Sequence, residues 1–160
     1  MILDRSRSAG YLTNWAARLF ARAIDRRLKT IGISSGQLPV FFALAEGRAL
    51  SQKALTEAAA IEQPTMAATL SRMERDGLVA RRPDPKDGRS TLISLTPAGM
   101  AKMSEVRAAV EAVNTGALSG LGAAEREAYL KALATIIGAL GAMVDDDPAG
   151  PDDAIATSRR

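Results

Sequence analysis

EQPTMAATLSRMERDGLVARRPDPKDGRSTLISLTPAG, residues 62–99, changes its hydrophobic period twice within 38 residues. Met66, Leu70 and Met73 recur at spacings of four and three, which puts them on one side of a helix that Gly77 closes. Leu78 and Ala80 then alternate with Val79 and Arg81, and Thr91, Ile93 and Leu95 alternate with Leu92 and Ser94, the period of two that marks strands. Between these runs PDPKDGR holds two prolines and a glycine, so it is neither helix nor central strand and must project as a loop. Thr96 caps a further helix that Pro97 opens. Helix, hairpin with a basic tip, helix: this order is the winged form of a helix-turn-helix.

Upstream, the chain supplies the other helices of that unit. Ser34 and Gln37 have capping-box spacing, and Pro39 fits only the first turn of a helix running from about 35 to 46. Val40, Phe41, Leu44 and Ala45 form its core face, and Gly47 stops it. Ser51 caps a third helix reaching about Ala59, and a fourth starts near Gln63 with Pro64 in its first turn. A gap of about three residues between them is tight enough for a helix-turn-helix corner.

Both chain ends extend beyond this unit. Leu12, Trp15, Leu19, Phe20, Ile24, Leu28 and Ile31 make an apolar stripe on a helix over about 7–31, stopped by Gly32. Its opposite face carries Arg18, Arg22, Arg26 and Lys29, which reads either as solvated surface or as phosphate contacts. Met100, Met103, Val106, Val110 and Val113 stripe a fifth helix to about Leu118, and residues 119–122, SGLG, break it. Leu130, Leu133, Ile136, Ile137, Leu140 and Met143 stripe a sixth, over about 123–144. The expected class is mainly α (α+β). The regions are an N-terminal dimerisation helix (1–34), a winged helix-turn-helix (35–96), C-terminal dimerisation helices (97–144) and a disordered acidic tail (145–160). The long end helices have more apolar surface than the central unit can cover, so a two-fold homodimer is expected over a monomer with a helical extension.

Composition narrows the chemistry. Without Cys or His, thiol sensing, disulfides, the usual zinc ligands and the commonest general base are all missing, and no metal or cofactor is expected. The longest uninterrupted apolar run, 40–45, is far below the roughly 20 residues of a membrane span, and no apolar core of a secretory signal follows MILDRSRSAG. A cytoplasmic protein without membrane contact is expected. Net charge is +3, but residues 145–160 hold five Asp and two Arg; the remainder has 19 basic and 13 acidic residues, a net +6. A basic body suits a polyanion.

The run LSRMERDGLVARRPDPKDGRSTLISLTPAG closely resembles the MarR family of bacterial transcriptional regulators, as does the helix order over about 7–144. RMERDGLV, the loop DPKDGR with its Asp-x-Arg, and LTPAG are the most specific pieces. The resemblance implies a dimer joined through its terminal helices, each subunit presenting a winged helix to a pseudo-palindromic operator on double-stranded DNA. It also implies release by small molecules, often aromatic acids or phenols. Members often carry Thr-Arg where this chain has Ala67-Ala68.

On that reading the fourth helix enters the major groove. Gln63, Thr65 and Ser71 can hydrogen-bond there, Pro64, Ala67 and Ala68 can touch thymine methyls, and the helix start attracts phosphate. Ser51, Arg72, Arg75 and Lys86 join the expected interface, with Arg81 and Arg82 as further phosphate candidates or plain surface. Arg89 at the loop tip resembles the family arginine that enters the minor groove. Asp87 is expected to pair with Arg72 or Arg89 and hold the loop. With no long donor at the centre of the helix face, the loop and DNA shape are expected to supply much of the specificity.

Trp15, Phe41 and Phe42 either line an effector pocket or are core. Two rivals are weaker. Gly120 and Gly122 have Glu125 where a dinucleotide fingerprint needs glycine and no strand before them, so an enzyme is not expected. A winged helix used only for protein contact shares the fold, but Arg89 and the basic body count against it.

Overall fold

The computed structural model describes residues 4–145 of the chain. It divides into two compact units, Met1–Thr115 and Gly116–Arg160. In the first, Ser8 Oγ accepts the Tyr11 amide and opens α1 (Ala9–Leu28). A short 3-10 turn (Lys29–Ile31) prolongs it until Gly32 adopts φ 70°, a left-handed stop that glycine takes without strain.

The next helix departs from the expected single run over 35–46. A 3-10 turn (Ser35–Gln37), in which Gln37 Oε1 accepts the Ser34 amide at 2.9 Å, leads into α2 (Leu38–Ala43). Glu46 at φ 61° and Gly47 at φ 75° then turn the chain sharply. This kink delivers an element without a hydrophobic period of its own, the strand β1 (Ala49–Ser51). Helix α3 (Gln52–Ala59) follows, capped by Ser51, and α4 (Gln63–Arg75) comes after the corner. At that corner Ala60 sits at φ 49°, a costly setting for a residue with a Cβ.

Strands β2 (Val79–Pro83) and β3 (Thr91–Leu95) pair antiparallel from Val79↔Leu95 to Pro83↔Thr91, the two-stranded wing expected from sequence. Strand β1 adds to the free edge of β3, from Ala49↔Ser94 to Ser51↔Leu92, so the sheet order is β1-β3-β2. A wing strand is therefore the centre of the sheet, and the start of α3 hangs from it.

Beneath the sheet lies one core. Leu28, Phe41, Leu44, Leu55, Met66, Leu70, Met73, Ile93 and Val106 are all fully buried, and each large side chain contributes about 1.5–3 kcal/mol relative to exposure. Val106, Ala109 and Val113 bring α5 (Pro97–Ala117) into it. The entrance to α5 is knotted to the wing base: Thr96 donates its amide to Leu78 O at 3.0 Å and its hydroxyl to Gly77 O at 2.6 Å. The same hydroxyl oxygen accepts the Gly99 amide at 3.0 Å. A Cβ on Gly99 would run into the Leu78 carbonyl, so only glycine allows this approach. Further along α5, Lys102 Nζ donates to Ile31 O at 2.7 Å and satisfies a carbonyl at the end of the first helix.

The second unit is dominated by α6 (Ala123–Asp145), whose start is capped by Glu125 accepting the Gly122 amide at 2.7 Å. Most of its large apolar residues are bare: Ile137 is 67% and Met143 69% exposed, while Leu133 is half-buried. An 18-residue window within Ala123–Val144 reaches a mean hydropathy of 1.4, the length and composition of a membrane-crossing helix, which the core helix of a soluble protein can share. The short uninterrupted runs and this high average coexist because Gly138, Gly141 and alanines interleave the aliphatic residues without lowering the average much. The acidic tail expected at 145–160 lies outside the described residues, apart from the last helical position of α6.

Candidate nucleic-acid interface

Helix α4 buries Met66, Thr69, Leu70 and Met73, so its opposite side must face out. Gln63, Pro64, Thr65, Ala68, Ser71, Arg72 and Arg75 are exposed and Ala67 is half-buried, the disposition the spacing predicts. Glu62 occupies the cap position but makes no side-chain cap bond, which leaves the first amides of α4 open to an anion. Ser51 is committed elsewhere: its Oγ accepts the Ala54 amide at 3.2 Å, so its part is to cap α3.

The wing tip is built by two carboxylates. Asp84 Oδ1 accepts the Lys86 amide at 2.8 Å, and Asp87 Oδ1 accepts the Arg89 amide at 3.0 Å. Backbone bonds close the loop behind them, from Asp84 N to Ser90 O at 2.9 Å and from Ser90 N to Asp87 O at 2.8 Å. The expected ion pair of Asp87 with Arg72 or Arg89 is absent among the described residues. Asp87 holds Arg89 by its backbone instead, because an aspartate in a turn reaches the amide two residues on more readily than a distant guanidinium. Lys86 and Arg89 are left exposed at the tip.

Two other arginines are less free than their sequence positions suggested. Arg81 Nε lies 3.1 Å from Glu74 and clips β2 to the end of α4, while Arg75 Nε lies 3.2 Å from Asp76. Both pairs are solvent-exposed, so each contributes only about 0–1 kcal/mol and can open for a phosphate. Arg82 is exposed on β2.

The three aromatic residues separate. Phe41 is fully buried in the core, whereas Trp15 is 44% and Phe42 56% exposed. Trp15 meets Tyr11 edge-on with ring centroids 6.1 Å apart. A cleft the sequence did not suggest, of about 440 Å³, is lined by Asp25, Lys29, Gly32, Ile33, Ser34, Gln37, Arg72 and Asp76. Asp25 already accepts the Ser35 amide at 2.6 Å and Asp76 faces Arg75, so the two cations of the cleft, Lys29 and Arg72, have no carboxylate partner among the described residues.

Three helices, a corner, and a self-braced hairpin with cationic tip define a winged helix-turn-helix. A family model described as MarR family matches residues 31–90. YwoH of Bacillus subtilis, an uncharacterised HTH-type transcriptional regulator, is 32% identical over 93 residues, which are 58% of this chain and 67% of that protein. A probable transcriptional regulator from Pseudomonas aeruginosa superposes with a TM-score of 0.75 at 28% identity, covering 83% of this chain and 99% of that one. BpsR of Bordetella bronchiseptica, whose DNA binding is regulated by 6-hydroxynicotinic acid, gives 0.77 at 27% identity over 85% and 97%. The chain belongs to the MarR family of transcriptional regulators, and is not an enzyme.

Proposed function

We propose that this regulator binds a pseudo-palindromic operator as a homodimer, with α4 in the major groove and Arg89 in the flanking minor groove, and acts as a ligand-responsive repressor. The observation that carries the reading is the wing tip: both of its aspartates are turned onto backbone amides, leaving Lys86 and Arg89 to face outward. Gln63, Thr65 and Ser71 supply hydrogen bonds and Pro64, Ala67 and Ala68 apolar contact, with Arg72 and Arg75 at the backbone. A second copy covers the bare faces of α1 (Tyr11, Leu12, Trp15, Leu19) and of α6, whose exposed aliphatic side chains fit a protein partner as well as a lipid one. Apart from Asp145 at its end, the charges of α6 (Glu125, Arg126, Glu127 and Lys131) all fall in its first half.

An aromatic acid fits the cleft beside Lys29 and Arg72 by charge, and at about 440 Å³ the cleft is within the usual range for small ligands. Trp15 and Phe42 offer the alternative, apolar surface; Phe41 remains with the core. Footprinting on the DNA upstream of its own coding region, with and without aromatic acids, tests the whole reading. If the dimer neutralises roughly six to ten phosphates, affinity falls about 10³–10⁵-fold between 50 and 200 mM salt. Salt-insensitive binding, or none, would leave a protein-contact module in its place. Sedimentation showing only the 16.8 kDa species at micromolar concentration would remove the dimer. Recovery in the membrane fraction would replace the cytoplasmic assignment.

A further inference from the structure

Gln52 and Gln63 begin the two helices of the helix-turn-helix, and their amides meet: Gln52 Nε2 donates to Gln63 Oε1 at 3.2 Å. Gln52 is firmly placed. Its neighbour Ser51 pairs with Leu92 of the central strand and caps α3, and Thr56 Oγ1 donates to the Gln52 carbonyl at 2.8 Å. Gln63, by contrast, stands exposed in the first turn of α4 with nothing else among the described residues orienting its side chain. A carboxamide has one accepting end and one doubly donating end, so what it recognises depends on which end is turned out.

Resting on the DNA-binding reading above, we infer that Gln52 is a positioning residue that sets the base preference of Gln63. By holding Gln63 Oε1, it turns Nε2 and its two N–H groups toward the groove. An unassisted glutamine favours adenine, accepting from N6 while donating to N7. A glutamine oxygen with one lone pair engaged and its direction fixed accepts less readily from adenine N6, which tilts the preference toward an edge made only of acceptors, and guanine N7 and O6 form that edge. The pair therefore selects guanine at one position of each half-site, opposite the start of α4. Because Gln52 hangs from β1 and β1 from wing strand β3, this preference is tied to the sheet and not to α4 alone.

Selection from randomised duplexes by the full chain tests this. The wild type is expected to enrich guanine at one column per half-site, and Gln63→Ala to flatten that column. Gln52→Glu offers only acceptors, so the Gln63 amide turns over and donates to it; the column moves to a base with an exocyclic amino group, adenine or cytosine. Gln52→Met keeps the length without the donor and is expected to lose most of the guanine preference. Anisotropy on matched guanine and adenine duplexes gives a ratio of about tenfold for the wild type, reversed in Gln52→Glu. The ratio is read because the new carboxylate weakens every duplex alike. Unaltered guanine preference in both Gln52 variants, each with an unchanged thermal midpoint, overturns the inference, as does an unaltered column in Gln63→Ala. A wild-type chain that enriches no sequence overturns the DNA reading itself, a distinguishable result.

Discussion

On the proposed reading helix α4 and the wing tip face the same partner, but they are built in opposite ways. The helix is fixed along its length by Met66, Thr69, Leu70 and Met73, yet its outward centre holds half-buried Ala67 and exposed Ala68 and Ser71. The wing tip has no buried anchor beyond its strands and braces itself through Asp84 and Asp87, yet carries Lys86 and Arg89. One region is precise and poorly armed; the other is well armed and held only locally. On that proposal, sequence readout leans on groove shape at the wing, with Gln63 at the edge of the helix adding a base contact.

The comparison can be broken most severely at the joint between the two regions. Gly99→Ala pushes a methyl into the Leu78 carbonyl and should cost on the order of 1–3 kcal/mol or more, read as a lowered thermal midpoint with loss of binding following from it. Arg89→Ala should weaken operator binding at least tenfold, about 1.4 kcal/mol, with the midpoint hardly changed; unchanged binding would take the wing out of the comparison. Asp87→Ala separates a brace from a mere acid. If its carboxylate organises the Arg89 amide, binding weakens about threefold to tenfold, whereas removal of a simple repulsive charge would strengthen it. Smallest of all, Ala60→Gly relieves the left-handed corner before α4 and should stabilise by about 0.5–1 kcal/mol, seen in denaturant unfolding, without altering base preference.

Elements with their own period were legible in the sequence. The stripe Met66, Leu70, Met73, the alternation around the hairpin, and the caps at Ser51 and Thr96 all signal locally, and the structure follows them within about two residues. What escaped depends on partners far along the chain. The three residues of β1 are a strand only because β3 lies beside them, and neither the Arg81–Glu74 clip nor the Gln52–Gln63 contact leaves a mark on spacing. Asp87 is different: the rule for aspartate in turns pointed to the Arg89 amide, and the charge-pair reading overlooked it. At α4 the exposed residues were identified from periodicity, while Phe41 went to the core because α2 packs on the side of Leu38, Val40 and Phe41 and turns Phe42 away from it.

The self-bracing of the wing tip has a consequence for how such a regulator changes over time. Every bond that shapes residues 84–90 begins and ends within them. The loop is thus an exchangeable cassette: a paralogue can acquire a new tip, and with it a taste for a different groove width, while the scaffold beneath it is inherited untouched.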